Sequence, residues 1–391
     1  MSKNIIRFRR FTKPQVLRHI GRDLLSRFLF SFADELRSGN ISLPQADISD
    51  DSYFQAVAKV LLCPEELPPR LNEALFAVDE MASVEGHERL QAAVEKQGLN
   101  LNLSSDCSRE DFALQVWLVD PALLARKHNE QCLGRLTAFH HFSSTDPRTE
   151  PPLSIAPGSP SLETLRAGID SWFAAHGRGE ATTRIEPYPL DSEYWFLVRH
   201  GDSFSRTPKV ENSKTEILHF RPERDDVVVY SPEQDEIRIN ARTKGERDLY
   251  RQQFGICLRG DRNYFCRNST YTLEPLRTYG ASCLATDGLE GISKIILREL
   301  EIVSDNRHCE VLVRQADDLF QCHALTDHGD PLMDSGRLTR AGFEFHFDDS
   351  SKPRPVQIRL PNLLKVGRHC DVSLINRWLW ARGFRLKNPS Q

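Results

Sequence analysis

"TEILHFRPERDDVVVYSPEQDEIRINA", residues 215–241, contains three short runs of β-branched and aromatic residues, TEILHF, DDVVVY and EIRINA, set off by Pro, Asp and Asn. Only five residues separate Phe220 from Asp226, and five separate Tyr230 from Glu236. A parallel crossover needs about a dozen residues or more, so these strands follow one another as an antiparallel meander. YWFLVRH (194–200), CEVLVRQ (309–315), GFEFHF (342–347) and PVQIRL (355–360) have the same composition and extend the β-rich region to the C-terminal part.

Upstream the period changes. Leu17, Ile20, Leu24, Phe28, Phe32 and Leu36 recur at three- and four-residue steps, which predicts one amphipathic helix stopped at Gly39. Helical stretches are also predicted at about 51–62, 69–97 and 108–131, the last capped by Ser108. The five prolines of "SSTDPRTEPPLSIAPGSPS", 143–161, read as an extended linker, and a helix at about 162–176 opens the second half. The expected fold class is therefore α+β: a helical domain at 1–142, a linker at 143–161 and an antiparallel β-rich domain at 162–391. A separate C-terminal module from about 335 is a further expectation. No repeat occurs at solenoid periods.

With 391 residues, 39% of them hydrophobic and 27% charged, the chain has the composition of a soluble globular protein. No apolar run approaches the roughly 18 residues needed for a membrane span, and the N-terminal stretch lacks the apolar core of a secretory signal. Nine cysteines without a C-x-x-C point to reduced thiols and a cytoplasmic location. His308-Cys309 and Cys322-His323 form a Cys2His2 set across an expected hairpin. Adjacent strand residues face opposite sides, however, so no metal site is expected there.

The net charge of −4 conceals segregation. Residues 1–32 carry eight bases against Asp23, residues 33–112 carry sixteen acids against six bases, and residues from 352 onward carry nine bases against Asp371. Basic ends flanking an acidic section suggest an anionic partner, of which nucleic acid is the commonest. The candidate contacts are Arg7, Arg9, Arg10, Arg18 and Arg22 at the N-terminal end and Arg377, Arg382 and Arg385 at the other. "TKGERDLYRQQFG", 243–255, adds Lys244, Arg247 and Arg251 on one face of a helix, with a capping box at Thr243 and Glu246 and a stop at Gly255. A terminal helix is predicted from about Val372 to Arg382, capped by Asp371 and ended by Gly383, carrying Trp378 and Trp380.

"YWFLVRHGDSF", 194–204, resembles the opening of a histidine phosphatase site through Arg199, His200 and Gly201. That resemblance implies His200 as the phosphate-accepting nucleophile, Arg199 as a phosphate clamp and His328, in "TDHGDPL" at 326–332, as a second imidazole. Here Asp202 follows the glycine, the surrounding strands form a meander, and no second arginine motif is found. "DEIRINARTKGERDLYRQQFG" (235–255) and "INRWLWARGF" (375–384) resemble uncharacterised accessory proteins of bacterial anti-phage defence operons, a likeness that assigns no catalytic residue. No Walker loop, G-x-G-x-x-G, H-E-x-x-H or G-x-S-x-G appears, so no cofactor is expected. The expected function is a non-catalytic component that binds nucleic acid or a partner protein, with a His200-centred phosphatase as the rival.

Overall fold

The computed structural model describes residues 10–44, 47–102, 107–144, 159–190, 192–211, 213–304, 308–324 and 336–386. The fold is α+β, with helices first and an almost wholly antiparallel sheet after them. The chain forms two compact units, Met1–Leu133 and Gly134–Gln391. No helix among the described residues is long and apolar enough to cross a membrane.

The first unit is built from α1 (Pro14–Leu17), α2 (Arg22–Phe30), α3 (Ala33–Ser38), α4 (Asp50–Leu61), α5 (Pro69–Met81), α6 (Val84–Gln97) and α7 (Arg109–Val119), with α8 (Pro121–Gly134) closing it. The single helix expected over 17–36 is three, interrupted at 18–21 and 31–32. Its apolar set still faces inward: Leu17, Ile20, Phe28, Phe32 and Leu36 are buried, and Phe28 and Phe32 pack on Trp117 with ring centroids 4.8 and 5.2 Å away. The stretches 69–97 and 108–131 also divide. Ser83 starts a new helix by accepting from the Gly86 N–H, and Pro121, which cannot donate to the preceding turn, opens α8. Ser108 and Asp111 form a reciprocal capping box at the start of α7.

The second unit is organised by a ten-stranded sheet in the order β2-β3-β6-β7-β1-β12-β11-β10-β8-β9. These strands are β1 (Ala138–Ser143), β2 (Arg184–Leu190), β3 (Glu193–Gly201), β6 (Glu223–Ser231), β7 (Glu236–Asn240), β8 (Ile292–Val303), β9 (Val311–Gln315), β10 (Arg337–Phe347), β11 (Arg354–Arg359) and β12 (Leu363–Lys365). Because β1 belongs to this sheet, the boundary between units falls ahead of the Pro-rich stretch. Strands from 337 onward join the same sheet, so the C-terminal segment is not a module of its own. The run TEILHF departs from the expected meander: β4 (Ser205–Glu211) and β5 (Lys214–Phe220) pair only with each other among the described residues, while β3 pairs directly with β6.

Two apolar layers cover opposite faces of the two halves. In the first half, Phe196, Val198, Val228, Tyr230, Ile237 and Ile239 pack under α9 (Pro160–Ala175) and α10 (Lys244–Arg259). In the second, Leu297, Leu300, Phe343, Phe345, Val356, Ile358 and Leu364 pack under α11 (Glu274–Tyr279) and α13 (Val372–Ala381), where Trp378 stacks on Phe384. Register relates the faces. Leu364 pairs with Phe139, and Phe139 points away from the α9 side, which Phe142 occupies.

Candidate functional site

The basic residues expected to meet a polyanion are largely engaged within the protein. Arg7 and Arg9 lie outside the described residues. Arg10 pairs with Asp79 at 3.3 Å and Glu110 at 3.1 Å, Arg18 with Asp51 at 2.8 Å and Arg22 with Asp50 at 2.7 Å. The acidic section thus pairs with Arg10, Arg18 and Arg22. On α10, Lys244 is exposed, but Arg247 is half-buried and donates to the Ala241 carbonyl, and Arg251 is buried and donates to the Phe265 carbonyl. The expected basic stripe therefore turns inward at Arg251. Helix α10 has the predicted Thr243–Glu246 capping box but runs past Gly255 to Arg259. Gly255 lies in the helix interior against the Asp261 carbonyl, and Gly260, at φ 70°, is the stop. At the C-terminal end Arg382 donates to the Ala285 and Asp287 carbonyls, Arg385 is buried, and Arg377 is exposed.

His200 sits at the end of β3 in a closed polar nest. Its ring stacks on Phe173 at 3.9 Å and is buried. Nδ1 is 2.9 Å from the Gly201 carbonyl, which can only accept, and Nε2 is 3.1 Å from Asp226 Oδ2. Tyr250 donates to the same carboxylate oxygen at 2.9 Å, and its hydroxyl pKa is raised by burial and by Asp226. Arg199 is turned to carboxylates, Glu186 at 3.0 Å and Asp225 at 3.4 Å. Both ring nitrogens of His200 thus face partners within the protein, and Arg199 is turned to carboxylates in place of a phosphoryl group. His328 lies outside the described residues. Cys322 stands in a short helix, α12 (Leu319–Ala324), instead of the expected hairpin strand, and the His323 side chain is outside the described set. Among the described residues no cluster of three or more His, Cys, Asp and Glu side chains is placed to hold a metal ion.

A second buried network lies on the reverse face of the sheet. Alternation along β7 sends Ile237 and Ile239 under α10 and Glu236 and Arg238 to the other side. There Glu236 meets His141 Nδ1 at 2.8 Å and forms an ion pair with Arg385, while the Asn376 Oδ1 lies 3.5 Å from Arg385. Burial pushes the Glu236 carboxyl up, but Arg385, His141 and Arg238 outweigh it and hold its pKa at about 2. Burial lowers His141 to about 4, against the pull of Glu236. Arg238 pairs with Glu193 and lies beneath the Phe139 and Trp195 rings at 5.9 Å from each. Of these residues Glu193, Arg238 and Asn376 line a cavity of about 480 Å3 between the sheet and α13.

The β4–β5 hairpin is the other conspicuous surface feature. It leaves the main sheet between β3 and β6 at a tightly built base, where Arg221 donates to the Gly177 and Asp202 carbonyls at 2.9 and 2.6 Å. Beyond that base Phe204, Val210, Ile217, Leu218 and Phe220 are all exposed, Val210 at 79%. Strand alternation puts Phe204, Ile217 and Val210 on one face and Leu218 and Phe220 on the other. Lys209 pairs with Glu216 across the strands at 3.0 Å.

No protein-family model matches this chain, and no curated protein matches it in sequence. Neither the Glu236–Arg385 network nor the exposed arm was visible in the sequence as a site. The signal that could have pointed to the arm is the apolar run ILHF (217–220) two residues after the turn-forming composition of V-E-N-S-K (210–214).

Proposed function

We propose that this chain is a non-catalytic, cytoplasmic binding component of a multiprotein system, and that it engages a partner protein through the β4–β5 arm. The single observation that carries this reading is the exposure of apolar side chains on both faces of a hairpin whose base is hydrogen-bonded through Arg221. Exposed apolar clusters of this kind mark association surfaces, and an isolated two-stranded hairpin gains stability when a partner covers it. Free main-chain edges on β4 and β5 suit strand addition by the partner, with the apolar side chains filling its pockets. A protein partner is favoured over nucleic acid because the arm exposes five apolar side chains and because Arg10, Arg18 and Arg22 are paired with Asp79, Glu110, Asp51 and Asp50. The nine free cysteines support a reducing compartment. The resemblance to accessory proteins of anti-phage operons supports a defence complex as the setting.

The test is reconstitution. A partner recovered from native cells is purified and titrated against the full chain and against Ile217→Ser/Leu218→Ser. The double variant is expected to weaken the complex by about tenfold or more, with an unchanged melting temperature. Equal affinity of the two forms overturns the reading. A salt-dependent shift of labelled DNA or RNA that disappears in the arm variant transfers the arm to nucleic acid, and phosphate-ester hydrolysis lost in His200→Ala establishes the enzyme instead.

A further inference from the structure

The ten-stranded sheet ends on two different kinds of edge. At one, β2 carries Pro187 and Pro189, two positions apart, so one side of that strand lacks both N–H donors. Prolines placed in this way guard an edge against further pairing. At the other, β9 contains no proline, and among the described residues it pairs with β8 alone. Val311, Leu312 and Val313, consecutive along it, are 56%, 45% and 44% exposed. An apolar, unguarded edge is a template for another strand.

The ladder fixes which groups that edge offers. The Ser304 N–H donates to the Glu310 carbonyl at 2.8 Å and the Ala316 N–H to the Arg298 carbonyl at 3.1 Å, both in the register that pairs Ile302 with Leu312. Hydrogen-bonded pairs alternate along an antiparallel ladder, so Glu310, Leu312 and Arg314 direct their main-chain groups to β8. Val311, Val313 and Gln315 direct theirs outward. Side chains alternate with the same period, which places Glu310, Leu312 and Arg314 on one face and Val311 and Val313 on the other. Leu312 stands beside Ile302, so it prolongs the buried layer of the second half to the rim of the sheet and ends there in solvent.

This edge is complementary to itself. Laid antiparallel on a second copy about a two-fold axis at Leu312, it sets Leu312 against Leu312, Val311 against Val313 and Glu310 against Arg314. The outward N–H and C=O groups of both valines in each copy then find partners. The two Leu312 side chains meet at a non-hydrogen-bonded pair, where side chains approach closest, and join the apolar layers of the two copies. Glu310 and Arg314 flank them on the same face with opposite charge. A guanidinium has several donors, so Arg314 can take a carboxylate of the second copy in addition to what it already meets. An axis at Val311 would set Leu312 against Glu310, and one at Val313 would set it against Arg314, so charge selects the register. We propose that this chain forms a symmetric dimer by antiparallel pairing of β9 with β9 of a second copy, joining two sheets edge to edge. The contact is smaller than a standard interface, so the dimer is reversible and of micromolar affinity.

Sedimentation velocity of the full chain over about 1–500 μM tests this, with passage from monomer to dimer expected in that range. Leu312→Lys, at an exposed side chain, should weaken the dimer by about tenfold or more with an unchanged melting temperature. Glu310→Arg and Arg314→Glu each set like charges opposite one another and should weaken it comparably. An equimolar mixture of these two charge variants should recover association, because each presents the charge that the other lacks, and a defect of folding could not be cured in this way. A chain that stays monomeric throughout overturns the proposal, as does a dimer that Leu312→Lys leaves intact or a mixture that associates no better than its components. A dimer lost in Ile217→Ser/Leu218→Ser and kept in Leu312→Lys places the contact on the β4–β5 arm and overturns it equally.

Discussion

Glu236, on a central strand of the sheet, and Arg385, near the C-terminal end of the described chain, are an ion pair buried on both sides and separated by 149 residues of sequence. The pair connects the two halves of the second unit through its interior, because Glu236 also holds His141 of β1 and Arg385 also meets Asn376 of α13. Removing one partner leaves an uncompensated buried charge. Arg385→Met is expected to destabilise the fold by about 3–5 kcal/mol, and adding Glu236→Gln should recover a large part of the loss. Urea denaturation of the two single variants and the double variant measures the coupling; additive losses would show that the pair does not act as a unit.

His141 makes this network sensitive to acid. Its folded pKa, about 4, lies below the ordinary 6.5, so between these values the unfolded chain binds the proton and the folded protein does not. The stabilisation is present in full above pH 6.5 and is lost as pH falls toward 4. Glu236, held at about 2 against an ordinary 4.5, continues the loss below pH 4.5. The midpoint of thermal unfolding should drop steadily from pH 7 to 4, and His141→Gln should flatten the upper part of that slope. A His141→Gln profile identical in shape to the wild type would remove His141 from the account.

Glycine substitutions separate packing from propensity along α10. A Cβ on Gly255 would fall 2.5 Å from the Asp261 carbonyl oxygen, so Gly255→Ala should destabilise by about 1–3 kcal/mol. A Cβ on Gly245 meets Trp172 at 3.4 Å, ordinary contact, so Gly245→Ala should be neutral or gain up to about 1 kcal/mol from helix propensity. The opposite signs, read by chemical denaturation, check the position of each residue in the helix.

Thiol chemistry gives an independent map of burial. Desolvation pushes Cys257 up to about 11 and Cys283 up to about 12, and both are buried. Iodoacetamide at pH 8 should therefore spare them in the native protein while it modifies the exposed Cys132 and Cys322. Peptide mass spectrometry after timed quenching reads the order, and early labelling of Cys283 would contradict the packing of the 3-10 turn Gly280–Leu284, which follows α11, in the core of the second half.

Some of this architecture could be read from residue spacing, and the reason is that the features concerned are local. The change from helical to two-residue period, the caps at Ser108 and Thr243, and the inward stripe through Phe28 and Phe32 depend on neighbours within a few residues. Where local signals mislead, a nearby competitor decides. Gly255 looks like a helix stop but is required by the close approach of the Asp261 carbonyl, and TEILHF looks like a sheet strand but is left outside because β3 pairs with β6.

The candidate sites depended on contacts that no spacing encodes. Charge alternation in IRIN reads as a solvated face, yet Arg238 is buried because the C-terminal helix folds over that side of the sheet. The basic N-terminal segment reads as a surface for a polyanion, yet Arg10 and Arg22 are matched to Asp79, Glu110 and Asp50, carboxylates 28 to 100 positions away. From the sequence alone came the periods, the caps and the segregation of charge, which short-range sterics and hydrogen bonding dictate. Which charges face water was decided by tertiary packing, since desolvation and pairing depend on what the rest of the chain lays over them.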